Sequence, residues 1–442
     1  MPSLGLAMIV KDGAKTLRNC IASVAAITDQ IIIADTGSSD GSPQLARELG
    51  AEVFDVPWQD SFAQARNAAV RALSTDWVLV MDDDEELDPS ASANIRPLLE
   101  NAKVGGYLVT LRNHIPVKFG FGGHAPSIKV NDSAIPRAPG AKAYADFALC
   151  RLFRRRPEIY YAGRVHEHVE SSIRALGLKL ASADIMIHHF GHLCSAAELR
   201  AKDEFYRKLG RLKVQDSPND PEAWVELGLQ EYEQFRNYSA GIECFKKALA
   251  LNSRYFSVPA LSLANLYIDI HANDRALALL SGVAMTGRAA GEKERTCGDA
   301  FYNLSRLKEA RASYLRALAI LPEDARIDSK LGLTEARLGL KKNGLARLTR
   351  ALEAHSDDWQ MHDRMIKGCI LLNWLHQAAE AAERMAREHP NPATFLRAAS
   401  IRAQMKEWQA AENGVMRGLQ LFPENQELLQ FKEELGRELT RV

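Results

Sequence analysis

Five consecutive acidic residues, 82–86 (Asp-Asp-Asp-Glu-Glu), are the part of the chain best suited to chemistry. They follow the apolar run 77–81, whose length and composition predict a buried strand. Adjacent carboxylates repel one another, so a packed fold that collects them at a strand end favours a bound cation. Mg²⁺ and Mn²⁺ take carboxylate oxygens and are often shared with substrate phosphates. The alternative is a solvated acidic turn before a helix, whose N-terminus Glu85 and Asp88 would favour.

The segments around this acidic run alternate between predicted strands and helices. Such alternation favours a mostly parallel, doubly wound α/β sheet. Ligands of these sheets bind outside the carboxyl ends of the strands, where Asp12, Asp35 and the acidic run all lie. The sequence therefore predicts one ligand site at this edge. The predicted strands are residues 4–10, 31–34, 52–56 and 77–81, with helices around residues 17–24, 44–49 and 62–73.

Four segments carry a resemblance to a known family. They are Met8–Lys11, Ile33–Gly41, Ala65–Asn67 and Asp82–Glu85, in this order and spacing. Through them the chain resembles the inverting family 2 glycosyltransferases, which have the nucleotide-sugar-binding GT-A fold, a Rossmann-like α/β domain. Weaker similarity continues to residue 195. The resemblance is closest to bacterial members with a tetratricopeptide tail, a group that includes the sublancin-type peptide glycosyltransferases.

The resemblance implies roles for the residues of the predicted site. Asp35 would accept a hydrogen bond from a uracil ring. Arg66 and Asn67 would lie beside the nucleotide, where an arginine suits phosphate as a permanently charged, bidentate donor. Asp82 would face the ribose or the metal, and Asp84 would bind a Mn²⁺ or Mg²⁺ ion that bridges the diphosphate. The other implied nucleotide-sugar-binding residues are Val10, Lys11, Asp12, Gly37 and Asp83.

One position departs from the family pattern. Relatives usually have Asn-Glu where this chain has Asp12-Gly13. The glutamate often helps at the nucleotide end, so we expect one contact to the base or the ribose to be missing.

A second cluster of candidate residues lies at Gly163–His168, where relatives carry a similar Gly-Arg-Val-His-Glu pattern after Arg-Leu-Phe. An inverting transfer needs a carboxylate or a histidine to deprotonate the acceptor. Glu167 is the candidate base, and His166 beside it is a candidate contact to the diphosphate, the metal or the acceptor. The alternative for Glu167 is an exposed acid in a strand or turn.

Two adjacent histidines, His188 and His189, follow a predicted strand at residues 183–187. Imidazole is a suitable ligand for ions such as Mn²⁺. Because side chains alternate along a strand, only one of the two can face the site, and we favour His189 beside Asp84. A structural zinc site is the competing interpretation, and it has only Cys194 as a nearby thiol.

The segment between these motifs, residues 113–146, lacks periodicity and is rich in Gly and Pro. Long structureless loops of this kind are often functional, so we predict an acceptor-binding or lid segment. Residues 120–125 formally fit a dinucleotide fingerprint. Pro126 and a strand-like run follow instead of a helix, which argues against a dinucleotide site.

The C-terminal half is self-similar. Trp224, Leu227 and Gly228 match the opening of a tetratricopeptide repeat, and Pro322, Ser356, Pro390 and Pro423 are spaced 34, 34 and 33 residues apart. We predict about six repeats, the second of them (255–290) degenerate. The predicted domains are a family 2 glycosyltransferase catalytic domain at 1–195, a helical linker at 196–220 and an all-α repeat solenoid at 221–442.

Composition restricts the partners and the compartment. Lys plus Arg and Asp plus Glu number 56 each, so no charge imbalance indicates nucleic acid or an anionic membrane. No apolar run is long enough to span a membrane, and the first one is too short for a signal peptide. The six cysteines are scattered without a Cys-x-x-Cys pair, which predicts reduced thiols in a cytoplasmic protein.

The sequence thus predicts a metal-dependent, inverting glycosyltransferase. Its donor would be a nucleotide sugar, a UDP-sugar by resemblance, and its acceptor a peptide, a protein or a glycan. The repeats would recruit the acceptor or another partner, or would form a homodimer. Two alternatives stay open: a repeat scaffold with a degenerate catalytic domain, and a nucleotidyltransferase that releases pyrophosphate from a nucleoside triphosphate.

Overall fold

The computed structural model describes residues 1–115, 129–130, 140–141, 143–251, 256–355 and 358–440. The chain divides into two compact units, Met1–Leu251 and Asn252–Val442. The predicted lid segment at 113–146 lies mostly outside the described residues. Its two ends belong to strands.

The first unit is built on a mixed nine-stranded sheet with the order β3-β2-β1-β4-β8-β6-β9-β5, and β7 pairs with β8. β1 to β4 are mutually parallel, as the alternating pattern predicted. The prediction of a mostly parallel sheet is wrong for the other half, because β8 runs antiparallel to both β4 and β6. The strands are β1 (Leu4–Val10), β2 (Gln30–Asp35), β3 (Glu52–Asp55), β4 (Trp77–Val80), β5 (Glu85–Leu87), β6 (Val104–Ile115), β7 (Lys129–Val130), β8 (Ala143–Arg154) and β9 (Lys179–His189).

Helices pack on both faces of this sheet, so the central strands Leu4–Val10 and Trp77–Val80 are buried along their whole length. Leu6 and Met8 of β1 belong to one apolar cluster, whereas Ala7 and Ile9 belong to another. This division follows the two-residue alternation of a strand. The helices are α1 (Leu17–Val24), α2 (Ser42–Glu48), α3 (Phe62–Ala72), α4 (Ser92–Leu98) and α5 (Glu170–Ala175), and a 3₁₀ turn spans Pro89–Ala91.

The residues after the aspartate triplet form a strand, whereas one alternative from the sequence was the start of a helix. Glu85–Leu87 is β5, which pairs antiparallel with the end of β9. The register sets Glu85 opposite His189 and Glu86 opposite His188. The edge of β9 provides hydrogen-bond partners for the backbone of this segment. This pairing places the acidic run next to the two histidines.

The first unit continues into helices. α6 (Ala196–Asp216) begins with a capping box between Ser195 and Glu198 and covers most of the predicted linker. The next helices are α7 (Pro221–Leu229), a π-helical segment (Gln230–Gln234) and α8 (Tyr238–Ala250).

The second unit is a series of helical pairs. Four alternate helices begin at Ala325, Trp359, Pro392 and Gln426, which are 34, 33 and 34 residues apart. This period confirms the predicted tetratricopeptide solenoid. No helix in the described part of the chain combines the length and the apolar composition needed to cross a bilayer. The helices are α9 (Ser257–Asp269), α10 (Asn273–Ser281), α11 (Gly287–Asn303), α12 (Leu307–Ile320), α13 (Ala325–Arg337), α14 (Lys341–Ala354), α15 (Trp359–Leu371), α16 (Leu375–Glu388), α17 (Pro392–Gln404), α18 (Trp408–Leu421) and α19 (Gln426–Leu439).

Close helix packing in this array gives a testable pair of variants. A Cβ atom at Gly344 of α14 would lie 2.8 Å from the carbonyl oxygen of Gly332 and 2.9 Å from the amide nitrogen of Ala336. We expect Gly344→Ala to destabilise the protein by about 1–3 kcal/mol through overpacking, although alanine has a higher helix propensity than glycine. At Gly414 the same Cβ would meet Ala399 at 3.7 Å, an ordinary contact. Gly414→Ala should therefore stabilise by about 0.5–1 kcal/mol. Denaturant unfolding of both variants measures the difference, and equal effects would contradict this packing.

Candidate active site

Each of the three aspartates that follow β4 contacts a different set of side chains. Asp82 pairs with Arg66 at 2.7 Å and with Arg151 at 3.3 Å. Asp83 accepts a hydrogen bond from the hydroxyl of Thr16 at 2.7 Å. Asp84 lies beside His189. The three carboxylates therefore point to different partners and do not converge on a single point.

Arg66 of α3 joins two predicted parts of the site. Its Nη2 contacts Asp82, and its Nε donates to Oε1 of Glu167. The side chain is buried. Burial alone would lower the pKa of the guanidinium, but Asp82 and Glu167 raise this pKa above its usual range. The predicted base is thus held next to the acidic strand end by a permanent charge.

Arg151 of β8 is a member of this site that the sequence analysis missed. Its Nη2 contacts Asp82 and also Oε1 of Glu85 at 2.9 Å. The other oxygen of Glu85 accepts from the backbone amide of Asp82 at 2.9 Å. Burial raises the pKa of Glu85 to about 7, while Arg151 opposes that rise. Arg151 is the first residue of the Arg-Leu-Phe segment that contributed to the family resemblance, and this was the signal that could have identified it.

The glycine that departs from the family pattern has a local explanation. A Cβ atom at Gly13 would lie 2.4 Å from Oδ2 of Asp83. The carboxylate of Asp83 therefore occupies the space that a side chain at position 13 would need. Burial and then the charge of Asp84 raise the pKa of Asp83 to about 6. The nucleotide-sugar contact proposed for Asp83 stays a prediction.

His189 has the geometry of a metal ligand next to Asp84. Its Nε2 lies 3.4 Å from Oδ1 of Asp84, and its Nδ1 lies 2.6 Å from Oδ1 of Asn113 on β6. A hydrogen bond from Nδ1 to Asn113 leaves the lone pair on Nε2, which is how protein imidazoles are oriented toward metals. Neighbouring ligands of an octahedral ion with bonds of about 2.1 Å lie about 3 Å apart. The Asp84–His189 pair therefore fits a divalent ion.

The side chain of His188 points away from Asp84, as expected for the residue next to His189 on a strand. Its Nε2 lies 3.0 Å from Asp88 and its Nδ1 lies 2.9 Å from Nε2 of His114. The alternation of β9 therefore places His189, and not His188, beside Asp84. Burial alone would lower the pKa of His189, but a proton shared with Asp84 raises this pKa above the usual value, and a metal ion would take the place of that proton on Nε2.

The carboxyl ends of β1 and β2 form the other end of the predicted site. Asp35 is buried, and its Oδ2 accepts from the amides of Gly37 at 3.1 Å and Ser38 at 3.0 Å. Its Oδ1 is buried as well and accepts no hydrogen bond from the described residues. Asp12 accepts from the amide of Ser39 at 2.7 Å, which ties the two strand-end turns together. In the strand-end turn before Asp12, Val10 is buried and Lys11 is exposed.

Two further predicted residues, Asn67 and His166, contact other protein groups near Glu167. The amide group of Asn67 bonds both the carbonyl and the amide of Tyr161, at 2.9 and 2.8 Å. Asn67 therefore positions the segment that leads to Glu167, and its contact with the nucleotide stays a prediction. His166 is exposed, has a φ of 51° and stacks on Tyr206 of α6 with the ring centroids 6.2 Å apart.

α6 contributes more to the site than its prediction as a linker implied. Tyr206 stacks on His166, the neighbour of Glu167 in the chain, and burial and then the charges of Asp82 and Glu167 raise the pKa of its phenol above the usual value. Lys213 donates to the carbonyl of Val165 at 3.1 Å and pairs with Glu226 of α7 at 2.7 Å. The loop that carries Glu167 is thus held from the helical side. No motif marks Tyr206 in the sequence.

The fold and these residues define an α/β domain with a carboxylate, arginine and imidazole site at its strand ends. Residues 6–159 match the family described as "Glycosyl transferase family 2". The N-terminal part of the chain therefore matches this family, and helices with the tetratricopeptide period follow it.

Three relatives illustrate the similarity. The chain is 32% identical over 234 residues to a "TPR repeat-containing protein" of Synechococcus elongatus. This match covers 52% of this chain and 52% of the relative. It is 32% identical to an "Uncharacterized glycosyltransferase" of Rickettsia prowazekii, over 24% of this chain and 37% of the relative. It is 19% identical to the "SPbeta prophage-derived glycosyltransferase SunS" of Bacillus subtilis, over 56% of this chain and 53% of the relative. The chain thus spans about half the length, or less, of these curated relatives.

The different contacts of Asp83 and Asp84 can be tested by two substitutions, each of which removes one negative charge. Asp84→Asn should weaken Mn²⁺-dependent UDP binding by at least about tenfold, because it removes the oxygen that faces His189. Asp83→Asn should have a smaller effect, since that carboxylate contacts Thr16. Titration calorimetry with UDP and Mn²⁺ measures both affinities, and melting curves verify folding. Equal losses in the two folded variants would show that overall charge matters and not coordination by Asp84.

Proposed function

We propose that this chain is a metal-dependent, inverting glycosyltransferase that transfers a sugar from a UDP-sugar to a peptide, protein or glycan acceptor. The observation that carries this proposal is the Asp84–His189 pair, oriented by Asn113, next to the Arg66–Asp82 ion pair. A metal-ligand pair and a fixed positive charge at one strand end suit a substrate diphosphate.

The donor base is assigned to the end of the site near Asp35. Oδ1 of Asp35 is buried and accepts nothing from the described residues. The N–H group of a uracil ring would supply the missing donor, and an unsatisfied buried acceptor is costly without one. Gly37, with a φ of 103°, lets the chain turn away from this oxygen.

The diphosphate is assigned to the end near Asp84. Asp84 and His189 would hold a Mn²⁺ or Mg²⁺ ion, which when bound neutralises the charge that develops on the leaving diphosphate. Nη1 of Arg66 is a buried donor with no hydrogen-bond acceptor among the described residues, which leaves this guanidinium with bonding capacity. Asp82 already has two arginine partners, so we assign it to ordering the arginines and not to the metal.

Glu167 is proposed as the catalytic base. Arg66 holds Oε1, so Oε2 is the oxygen that takes the proton from the acceptor nucleophile. As this proton moves to Glu167, the nucleophile bonds to the anomeric carbon from the face opposite the leaving group. The bond between that carbon and the diphosphate oxygen breaks, and UDP leaves with the electron pair. Tyr206 and His166 form the aromatic wall beside this base and are proposed as acceptor contacts.

The proposal is tested by titrating the protein with a panel of nucleotide sugars in the presence of Mn²⁺ and by analysing the released products. Tight binding of one UDP-sugar with slow release of UDP is the expected result. Failure to bind any nucleotide sugar would favour the repeat scaffold with a degenerate site. Release of pyrophosphate from a nucleoside triphosphate would favour the nucleotidyltransferase.

Replacing the base should affect turnover much more than donor binding. We expect Glu167→Gln to lower kcat by a factor on the order of 10²–10⁴, the usual contribution of general base catalysis. The KM for the donor should change little, because the proton comes from the acceptor. His168→Asn, at an exposed neighbour, is the matched control and should retain kcat. Near-normal turnover in folded Glu167→Gln protein would assign the base elsewhere.

The repeats are proposed to recruit the acceptor or a partner. A fragment that ends at residue 251 keeps the ion pair between Lys213 and Glu226, and with it the support of the Glu167 loop. We expect this fragment to hydrolyse the donor at a rate similar to that of the full chain and to lose most transfer to the acceptor. A fragment that ends at residue 216 lacks Glu226 and should also lose hydrolysis. If fragment 1–251 transferred sugar at the full rate, recruitment by the second unit would be wrong.

A further inference from the structure

A second cluster of metal-ligating groups lies within the repeats, independent of the catalytic domain. His362 is in the first turn of α15, while Glu388 and His389 are at the end of α16. One nitrogen of each imidazole and one oxygen of Glu388 all lie within 4.8 Å of one another. This is the only such trio found among the described residues.

The contacts within the trio orient its ligand atoms. Nε2 of the fully buried His362 lies 3.0 Å from Oε2 of Glu388, and Arg384 holds Oε1 of the same carboxylate at 2.8 Å. The backbone of His389 is fixed as well, since Thr394 donates to its carbonyl at 3.1 Å. The charge of Arg384 and the bond to His362 keep the pKa of Glu388 below its usual value, although burial acts in the opposite direction.

The repeat symmetry allows this cluster to be compared with the same position in the next repeat. Helices α17 and α18 begin 33 residues after α15 and α16, so Phe395 and Phe422 are the counterparts of His362 and His389. The two phenylalanines pack with their ring centroids 6.5 Å apart, and the two imidazoles with centroids 5.9 Å apart. One repeat thus fills this position with an apolar pair. The preceding repeat fills it with two imidazoles next to a carboxylate, although burying polar rings is costly without bonding partners.

We propose that His362, Glu388 and His389 bind a divalent transition-metal ion, with Zn²⁺ as the best match. Two imidazoles and one carboxylate are a common protein ligand set for zinc, and a water molecule would complete the tetrahedron from the exposed side of Glu388. Ligand atoms on one zinc ion lie about 3.3 Å apart, so those atoms of the trio that are further apart than this would move closer on binding. The ion would connect the start of α15 to the end of α16 and thereby stabilise this repeat.

Zinc titration of the full-length, chelator-treated protein tests the site, with melting temperature as a second measurement. His389→Phe is the informative variant, because it introduces the residue that the next repeat already accommodates. We expect it to bind one equivalent of Zn²⁺ fewer than the parent and to lose the zinc-dependent rise in Tm. Glu388→Gln should weaken the affinity of this site at least tenfold. His376→Asn, at an exposed histidine near the start of α16, should behave like the parent.

The catalytic domain also has a predicted metal site, so the same titration is repeated in the Asp84→Asn background. The equivalent lost in His389→Phe should still be present there. An unchanged zinc stoichiometry in both His389→Phe and Glu388→Gln would overturn the proposal. A parent protein that binds zinc only through Asp84 would overturn it as well, and the trio would then serve packing and hydrogen bonding alone.

Discussion

The candidate site depends on the neutralisation of Asp82 by two buried arginines. Several carboxylates in one low-dielectric region repel one another strongly unless positive groups are placed among them. Arg66 and Arg151 provide these charges from opposite sides, and Arg66 extends the network to Glu167. Removing one partner of such a buried ion pair leaves an uncompensated charge. The free energy lost in this way is larger than the stabilisation that the intact pair provides. Once Asp82 is satisfied by the arginines, Asp84 is the acid of the triplet that faces His189.

The position of His189 is a consequence of strand register. β9 is sandwiched between β5 and β6, and this pairing aligns His189 with Glu85 on one side and with Asn113 on the other. A slip of one residue would turn the adjacent His188 toward Asp84 and remove the bond to Asn113. The apolar residues of β9 help to fix this register, since Ile185 and Ile187 are buried in the same core cluster as the strands that precede the acidic run.

α6 connects the candidate site to the first helices of the repeat region. Lys213 links the Val165 carbonyl to α7, and Glu231 of the π-helical segment is clamped by Arg207 and Arg211 at 2.7 Å each. Glu231 is almost fully buried, so its pair with the largely buried Arg207 is screened less by solvent than its pair with the half-exposed Arg211. The Glu167 loop is therefore supported by α3 on one side and by a helix of the repeat region on the other. This arrangement gives a physical reason for the first compact unit to extend as far as residue 251.

The sequence by itself determined the features that local patterns encode. Apolar runs predicted β1 to β4, and the 34-residue period predicted the repeats. The acidic run and the Gly163–His168 motif supplied candidate residues that Arg66 joins in the structure. The sequence could not determine contacts that depend on pairing between distant segments. The antiparallel insertion of β8 brings Arg151 to Asp82, the pairing of β5 with β9 selects His189, and the docking of α6 brings Tyr206 to the base. Each of these is a long-range choice made by packing the whole sheet, because no local spacing specifies which edge a strand or a helix will meet.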